Sequence, residues 1–188
     1  MSSLSVEAPP MSRAQIRNLA FQVREALGFR DRMFVDVGVL LEFILPKVLP
    51  GFTYDVKSLE EMGNDHGLAE PDINTITLRE DVYINALDGK GRDRATVLHE
   101  LAHLLLHKSD RIKHRRAQGP PKPYQDPEWQ AKVFAGEFLV PAHLIGGFSK
   151  ISDVARECGV SVDAARLQLR AYIKEGLIPE GQITDLAF

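Results

Sequence analysis

The chain has 188 residues, of which 44% are hydrophobic, and it carries a formal net charge of -3 and one cysteine, Cys158. This length suffices for one buried core with a small appended lobe. The net charge gives no overall attraction to nucleic acid or to an anionic membrane. A single thiol excludes an internal disulfide. Because no apolar run is long enough to span a membrane and the polar N-terminus lacks the apolar stretch of a secretory signal, we expect a cytoplasmic protein without membrane contact.

The first half of the chain predicts helices and a small sheet. Residues 1–11 are polar and contain a proline pair, which predicts a disordered lead. Apolar residues recur at helical spacing between the cap Ser12 and the stop Gly28, and a shorter helix is predicted over residues 37–45, ended by Pro46. Three segments have the composition of strands, namely FTYDV, INTITL and DVYINAL. The predicted fold class is α+β, with a small antiparallel sheet of about three strands.

The middle of the chain predicts two helices joined by a long loop. The first helix begins near the cap Asp93 and extends through Leu106. The loop, residues 108–125, is rich in Lys, Arg, Pro and Gly. We expect its basic part to be a solvated surface, with docking of an acidic partner or DNA as the alternative. The second helix begins at DPEW, with aspartate at the cap and proline at the first helical position, and ends before Pro141.

The C-terminal residues 146–188 predict a small helical lobe packed on a main domain of residues 12–145. Two helices broken at CGVS, with Gly159 at the turn and Ser161 as a cap, have the pattern of a helix-turn-helix. Three cations form a stripe on the second helix, at Arg166, Arg170 and Lys174. The lobe has a net charge of about -1, which argues against direct DNA binding. We therefore predict that the lobe grips a protein.

The helix in the middle of the chain carries a His-Glu-x-x-His pattern inside the apolar run TVLHELAHLLLH. Residues four apart lie on one face of a helix, so His99 and His103 project side by side, as two ligands of one zinc ion require. Glu100 is rotated by one position, outside the ligand set but near enough to act as general base on the water that attacks a carbonyl. His107 lies roughly 12 Å of helical rise from His99, too far to share an ion.

A catalytic zinc site needs a third protein ligand, and the helix that begins at DPEW offers one. Glu128 lies in its first turn, and the positions one and two turns further on, Ala131 and Ala135, are small. Small side chains allow this helix to lie close against the histidine helix, so we predict Glu128 as the third ligand. Asp126 is the second choice and Glu137, further along the helix, is the third.

The same residues have a structural interpretation, which must be weighed against the metal site. Single histidines on apolar helices are more often core residues than ligands, and Glu100 could pair with Arg94, Arg92 or a basic residue of the loop. The complete pattern, together with a well-capped helix that bears a glutamate, favours the metal. A further donor to the transition-state oxyanion is expected, and Tyr124 and His143, which flank that helix, are the candidates.

The stretches GRDRATVLHELAHLLLH and EWQAKVFAGEFLVP resemble the ImmA/IrrE family of metallopeptidases, and INTITLREDVYINALDGKGRDR resembles the strand pair of that family. The resemblance implies a zincin-like, more narrowly gluzincin-like, helical core with a small sheet. It implies zinc, with another divalent metal such as Mn²⁺ as the alternative, on His99, His103 and Glu128, and Glu100 as the catalytic carboxylate. Typical members cleave DNA-binding repressors of the Xre helix-turn-helix type, so it also implies a zinc endopeptidase with such a repressor as protein substrate.

The chain departs from the family pattern at several positions without losing a ligand or the base. The departures are Ala95 for Phe, Leu98 for Ala, Ala102 for Gly, Lys132 for Asn or Asp, and Val140 for Met. We expect them to change the packing around the pocket. An extended substrate segment is expected to lie beside DVYIN or INTITL as an added strand. The alternative function is a non-catalytic zinc-containing protein that grips a repressor or a toxin-antitoxin partner.

Overall fold

The computed structural model describes residues 3–117 and 120–186. The helices, in chain order, are α1 (Arg13–Ala26), α2 (Val37–Val39), α3 (Leu45–Val48), α4 (Leu59–Met62), α5 (Glu80–Leu87), α6 (Gly91–Leu106), α7 (Pro127–Leu139), α8 (Ile151–Cys158) and α9 (Val162–Lys174). The strands are β1 (Ser3–Glu7), β2 (Thr53–Lys57), β3 (Gly67–Glu70), β4 (Thr75–Arg79) and β5 (Lys113–Ala117). None of the described helices combines the length and apolar character needed to cross a bilayer.

The predicted α+β class is confirmed, but the central sheet is mixed instead of antiparallel. Its strand order is β2-β4-β3, and a separate two-stranded sheet pairs β1 with β5. Ile76 of β4 lies opposite Tyr54 of the parallel strand β2 and opposite Ala69 of the antiparallel strand β3. The chain therefore crosses over between β2 and β4, and it forms β3 on the way, although none of the predicted strand segments includes β3. The predicted loop over residues 108–125 likewise contains β5, while residues 118–119 lie outside the described part.

DVYINAL forms helix α5, so its prediction as a strand was wrong. Glu80 and Asp81 lie in the first turn, where carboxylates interact favourably with the helix dipole. Val82 and Ala86, four residues apart, are buried on one face. Short apolar runs fit either periodicity, and here the packing of α5 against α6 decides between them.

Helix boundaries agree with the sequence where a side chain caps the backbone. The Ser12 hydroxyl accepts from the Gln15 amide at 3.3 Å, and Gly28, with φ 78°, follows the end of α1. The Asp126 carboxylate accepts from the Glu128 amide at 3.0 Å and begins α7. These local hydrogen bonds are the ones that the cap residues predict.

Two predicted boundaries were wrong. Helix α6 begins two residues before the predicted cap Asp93, which lies in its first turn instead. The helical segment predicted over residues 37–45 continues past Pro46, because a π-helical turn over Leu40–Ile44 joins α2 to α3. Pro46 then lies in the first turn of α3, where a backbone amide has no helical partner to lose.

The N-terminal segment from residue 3 is ordered, in contrast to the disordered lead predicted for residues 1–11. After β1, the Ala8 amide donates to the Gln125 carbonyl at 2.9 Å, and the Met11 amide donates to the Tyr124 carbonyl at 2.8 Å. Backbone pairing across the molecule therefore orders a segment whose polar composition predicts no structure.

Helices α8 and α9 form as predicted. Gly159 adopts the left-handed conformation with φ 62° at the turn, and the Ser161 hydroxyl accepts from the Ala164 amide at 3.1 Å. Leu169 and Tyr172 of α9 are fully buried in the same core as α1, α6 and α7. A domain boundary between residues 145 and 146 stays a prediction.

Arg94, fully buried on α6, ties two distant parts of the backbone to this helix. Its guanidinium donates to the carbonyls of Val35, Cys158 and Gly159, and it lies over the Phe34 ring at 4.1 Å. Burial lowers the pKa of Arg94 to about 10, so the group is still charged at neutral pH. Hydrogen bonds to backbone carbonyls therefore stabilise this buried cation, and they connect α6 to two segments distant in sequence.

We expect Arg94→Met to lower the free energy of unfolding by roughly 2 to 4 kcal/mol, because buried carbonyls lose a charged donor. Urea denaturation measures the change. The control is Arg92→Met, since Arg92 is exposed on the same helix turn and should change stability by no more than about 0.5 kcal/mol. Equal effects of the two variants would contradict the role assigned to Arg94.

Candidate metal centre

His99 and His103 lie one turn apart on α6 and face the first turn of α7. The two Nε2 atoms are 3.1 Å apart. His99 Nε2 lies 3.2 Å from Glu128 Oε2, and His103 Nε2 lies 3.3 Å from Glu128 Oε1. The structure thus brings together the three residues predicted as ligands, and we call His99, His103 and Glu128 the ligand group. Among the residues that the structure describes, no further His, Cys, Asp or Glu joins this group.

The separations in this group fit a tetrahedral zinc ion. Ligand atoms bound at about 2.0 to 2.1 Å in a tetrahedron lie roughly 3.3 Å from one another, close to the separations observed here. Two imidazoles and one carboxylate are also a donor set of catalytic zinc sites, in which the fourth position is left open. The residues present therefore fit the metal in number, type and spacing.

Close packing of α7 on α6 positions Glu128. Ala131 is fully buried and Ala135 nearly so, so that small side chains occupy the contact between the two helices. The adjacent imidazoles of His103 and His99 hold the pKa of Glu128 well below its usual range. The carboxylate is therefore ionised at neutral pH, as a metal ligand has to be.

The structure separates the second and third choices for this ligand from the group. Asp126 caps α7 through the Glu128 amide, so its carboxylate is engaged in the helix start. Glu137 is buried two turns further along, where it accepts from Arg13 at 2.9 Å and from Arg17 at 3.0 Å. Neither residue belongs to the group of possible metal ligands among the described residues.

Glu100, a residue of α6, is buried against strand β3. A Cβ atom added to Gly67 of β3 would lie 2.8 Å from Glu100 Cγ, so glycine allows the strand to pass directly against this side chain. Burial raises the pKa of Glu100, while the nearby His99 and His103 act in the opposite direction. A raised pKa makes this carboxylate a stronger base, which suits proton transfer beside the possible metal ligands.

The structural interpretation of Glu100 predicts an ion pair with Arg92 or Arg94, and the structure shows neither. Arg94 is engaged with backbone carbonyls, and the guanidinium of Arg92 lies 3.5 Å from His66 Nε2. No described residue donates a hydrogen bond to the Glu100 carboxylate.

His107 lies outside the ligand group but contacts one of its members. Its Nδ1 is 2.9 Å from His103 Nδ1, and its Nε2 is 3.0 Å from Gln130 Oε1. Burial lowers the pKa of His107 to about 4, so the ring is neutral at neutral pH. Sequence reasoning excluded His107 as a ligand and did not find this contact, although its i+4 spacing from His103 was a signal for it.

Tyr124 and His143, the candidates for oxyanion stabilisation, lie at opposite ends of α7. Tyr124 precedes the helix, with its ring exposed and 5.8 Å from Lys122 Nζ. His143 follows the helix, where its Nε2 is 2.8 Å from the Arg30 carbonyl and its ring packs edge-on against Phe21. Because the 13 residues of α7 rise about 20 Å, His143 is remote from the ligand group.

Residues 55–170 match the family model Peptidase_M78, described as the IrrE N-terminal-like domain. The match spans α6 and α7 with the whole ligand group. The chain belongs to this family. Its members are of the metallopeptidase type, and the family resemblance predicted from the sequence is confirmed.

One solved structure with a similar fold is a Mycobacterium tuberculosis transcriptional regulator, with a TM-score of 0.56 and 15% sequence identity. The alignment covers 83% of this chain and 46% of that chain, so this Peptidase_M78 chain spans less than half the length of the regulator. At this identity the likeness concerns the fold alone. A comparison with curated proteins gives no match.

A cleft of about 520 Å³ begins at His99 and continues between α6, α7 and α9. Its walls are mainly apolar, with Trp129 and Leu167 among them. Three departures from the family pattern line this cleft, namely Ala95, Lys132 and Val140. The other two, Leu98 and Ala102, are fully buried in the core. The expectation that these residues change the packing around the pocket stays a prediction.

Replacing Glu128 by alanine should lower zinc affinity roughly 100-fold or more, because one of three ligands is lost. Titration of the metal-free protein with zinc against a competing chelator measures the affinity. The matched control is Asp126→Ala, which removes the helix cap and costs about 1 kcal/mol of stability but should leave zinc affinity within about threefold. Unchanged zinc affinity in Glu128→Ala would show that the third ligand is assigned wrongly.

Proposed function

We propose that this protein is a zinc endopeptidase that cleaves a DNA-binding repressor of the Xre helix-turn-helix type. The observation that carries the proposal is the group of His99, His103 and Glu128, without a fourth ligand among the described residues, beside the buried carboxylate of Glu100. A structural zinc site is usually closed by four protein ligands and has no use for a base next to them.

The chemistry divides between the ion and Glu100. A bound zinc ion polarises the scissile carbonyl and lowers the pKa of water. Glu100 takes the proton of the attacking water and delivers it to the departing amine, which the raised pKa of this carboxyl favours. Tyr124, at the Glu128 end of α7, remains the candidate donor to the oxyanion.

The sheet supports a different place for the substrate from the one predicted. DVYIN is helical, and INTITL forms the central strand β4, whose two edges are already paired. Among the described strands, β3 is the edge strand that passes Glu100 at Gly67, and no strand pairs with its outer edge. We therefore place an extended substrate segment along β3, where backbone hydrogen bonds would hold it beside Glu100.

The cleft next to His99 supports a site for a substrate side chain. It starts at a metal ligand and is bounded on its far side by α9, so the C-terminal helices contribute to it. Its mainly apolar walls favour a large apolar side chain close to the scissile bond. We therefore place the contact between the C-terminal lobe and the substrate protein on the side of α9 that carries Ala164.

The substitution Glu100→Gln should reduce cleavage roughly 100- to 10,000-fold while zinc affinity is retained, because the general base is lost and all ligands remain. The assay incubates the wild type and the variant with the Xre-type repressor encoded nearest to this protein, with zinc, with manganese and without metal. Products are identified by mass spectrometry. A wild type that binds zinc stoichiometrically and leaves the repressor intact would favour the non-catalytic binding protein, whose partner a pull-down would then identify.

Substituting Ala164 by tryptophan should fill the cleft without touching a ligand. We expect kcat/KM for the repressor to fall by roughly tenfold or more through KM, with zinc affinity unchanged. Ala164→Ser is the matched control, since it adds one small atom and leaves the cleft open. Cleavage by Ala164→Trp at the wild-type rate would place the substrate side chain elsewhere.

A further inference from the structure

A chain of buried hydrogen bonds runs from the backbone to His103, and its direction can be worked out from the far end. Gln130 is 1% exposed. One end of its amide lies 2.8 Å from the Pro9 carbonyl and 2.9 Å from the Tyr124 carbonyl. Carbonyl oxygens only accept, so this end is the NH₂ group, and both of its hydrogens are used. The amide oxygen of Gln130 therefore faces His107 as an acceptor.

The next two steps follow from the chemistry of a neutral imidazole, which carries one proton. His107 Nε2 lies 3.0 Å from the Gln130 oxygen and must hold that proton, so His107 Nδ1 is bare and accepts. The atom 2.9 Å from it is His103 Nδ1, which must be the donor. With its proton on Nδ1, a neutral His103 presents a lone pair on Nε2, the atom that faces His99 and Glu128.

We infer that His107 and Gln130 are positioning residues, which select the tautomer and ring orientation of His103 that bind the metal. The inference rests on the zinc site of the proposed function. It goes beyond that function because it gives a positioning role to two residues outside the set of predicted metal ligands. A histidine that binds a metal through one ring nitrogen usually donates a hydrogen bond from the N–H of the other to a carboxylate, a carbonyl or water. In this protein the acceptor is Nδ1 of His107, and His107 in turn donates from Nε2 to the amide oxygen of Gln130.

The relay ends on parts of the backbone that are themselves held in place. The Tyr124 carbonyl also accepts from the Met11 amide, and the Ala8 amide binds the Gln125 carbonyl. The N-terminal segment and the turn before α7 thus fix the two carbonyls that orient Gln130. An amide with both hydrogens engaged cannot turn over, so His107 and His103 each have one satisfied tautomer.

The test measures zinc affinity, which does not depend on cleavage. His107→Phe keeps the ring volume but removes both nitrogens, and we expect zinc affinity to fall roughly 10- to 100-fold. His107→Asn places an oxygen near the former Nδ1 position and should recover most of the loss. Gln130→Met breaks the relay one step away and should weaken zinc binding in the same direction. Nitrogen-15 NMR of the histidine rings should show the proton of wild-type His103 on Nδ1, with and without zinc.

The control is Gln168→Met, because Gln168 is a buried glutamine whose hydrogen bonds with Arg13 and Tyr172 involve neither His107 nor His103. Circular dichroism establishes that each variant is folded. Wild-type zinc affinity in folded His107→Phe, a proton on Nε2 of metal-free His103, or an equal loss of affinity in Gln168→Met would each overturn the inference. A wild type that binds zinc but cleaves no repressor would overturn the proposed function alone.

Discussion

The candidate site depends on the close contact between α6 and α7, which allows a carboxylate of one helix to meet two imidazoles of the other. Ala131 and Ala135 make this contact short enough. At the start of α7, the Asp126 cap fixes the turn that carries Glu128. At the other end, buried Glu137 binds Arg13 and Arg17 of α1. These contacts hold the helix that carries Glu128 in place at both of its ends.

What could be predicted from the sequence is what local chemistry determines. The caps of α1, α7 and α9 and the spacing of His99 and His103 depend on residues a few positions apart, and these predictions agree with the structure. The helix α5, the strand β3 and the order of the N-terminal segment depend on partners distant in sequence. A short apolar run or a polar lead has no unique local solution, so tertiary packing and backbone pairing decide its structure.

The same distinction explains the successes and errors within the site. The structure brings Glu128 to the two histidines, as its sharply bounded helix and small neighbours predict. His143 was predicted near the site because it follows that helix, but the length of the helix carries it away. His107 lies outside the group of possible ligands among the described residues, as the helical rise predicts. Its link to Gln130 was missed because that hydrogen bond joins two helices and ends on a third segment.

Two carboxylates near one pair of histidines have opposite environments, and this separates their roles. The adjacent imidazoles of His103 and His99 lower the pKa of Glu128, whereas burial raises the pKa of Glu100. A ligand needs the first environment and a general base the second. Among the departures from the family pattern, Leu98 and Ala102 are buried in the core, and Ala95, Lys132 and Val140 line the cleft. Three of the departures thus lie where the substrate side chain is proposed to bind, and none of the five replaces His99, His103, Glu128 or Glu100.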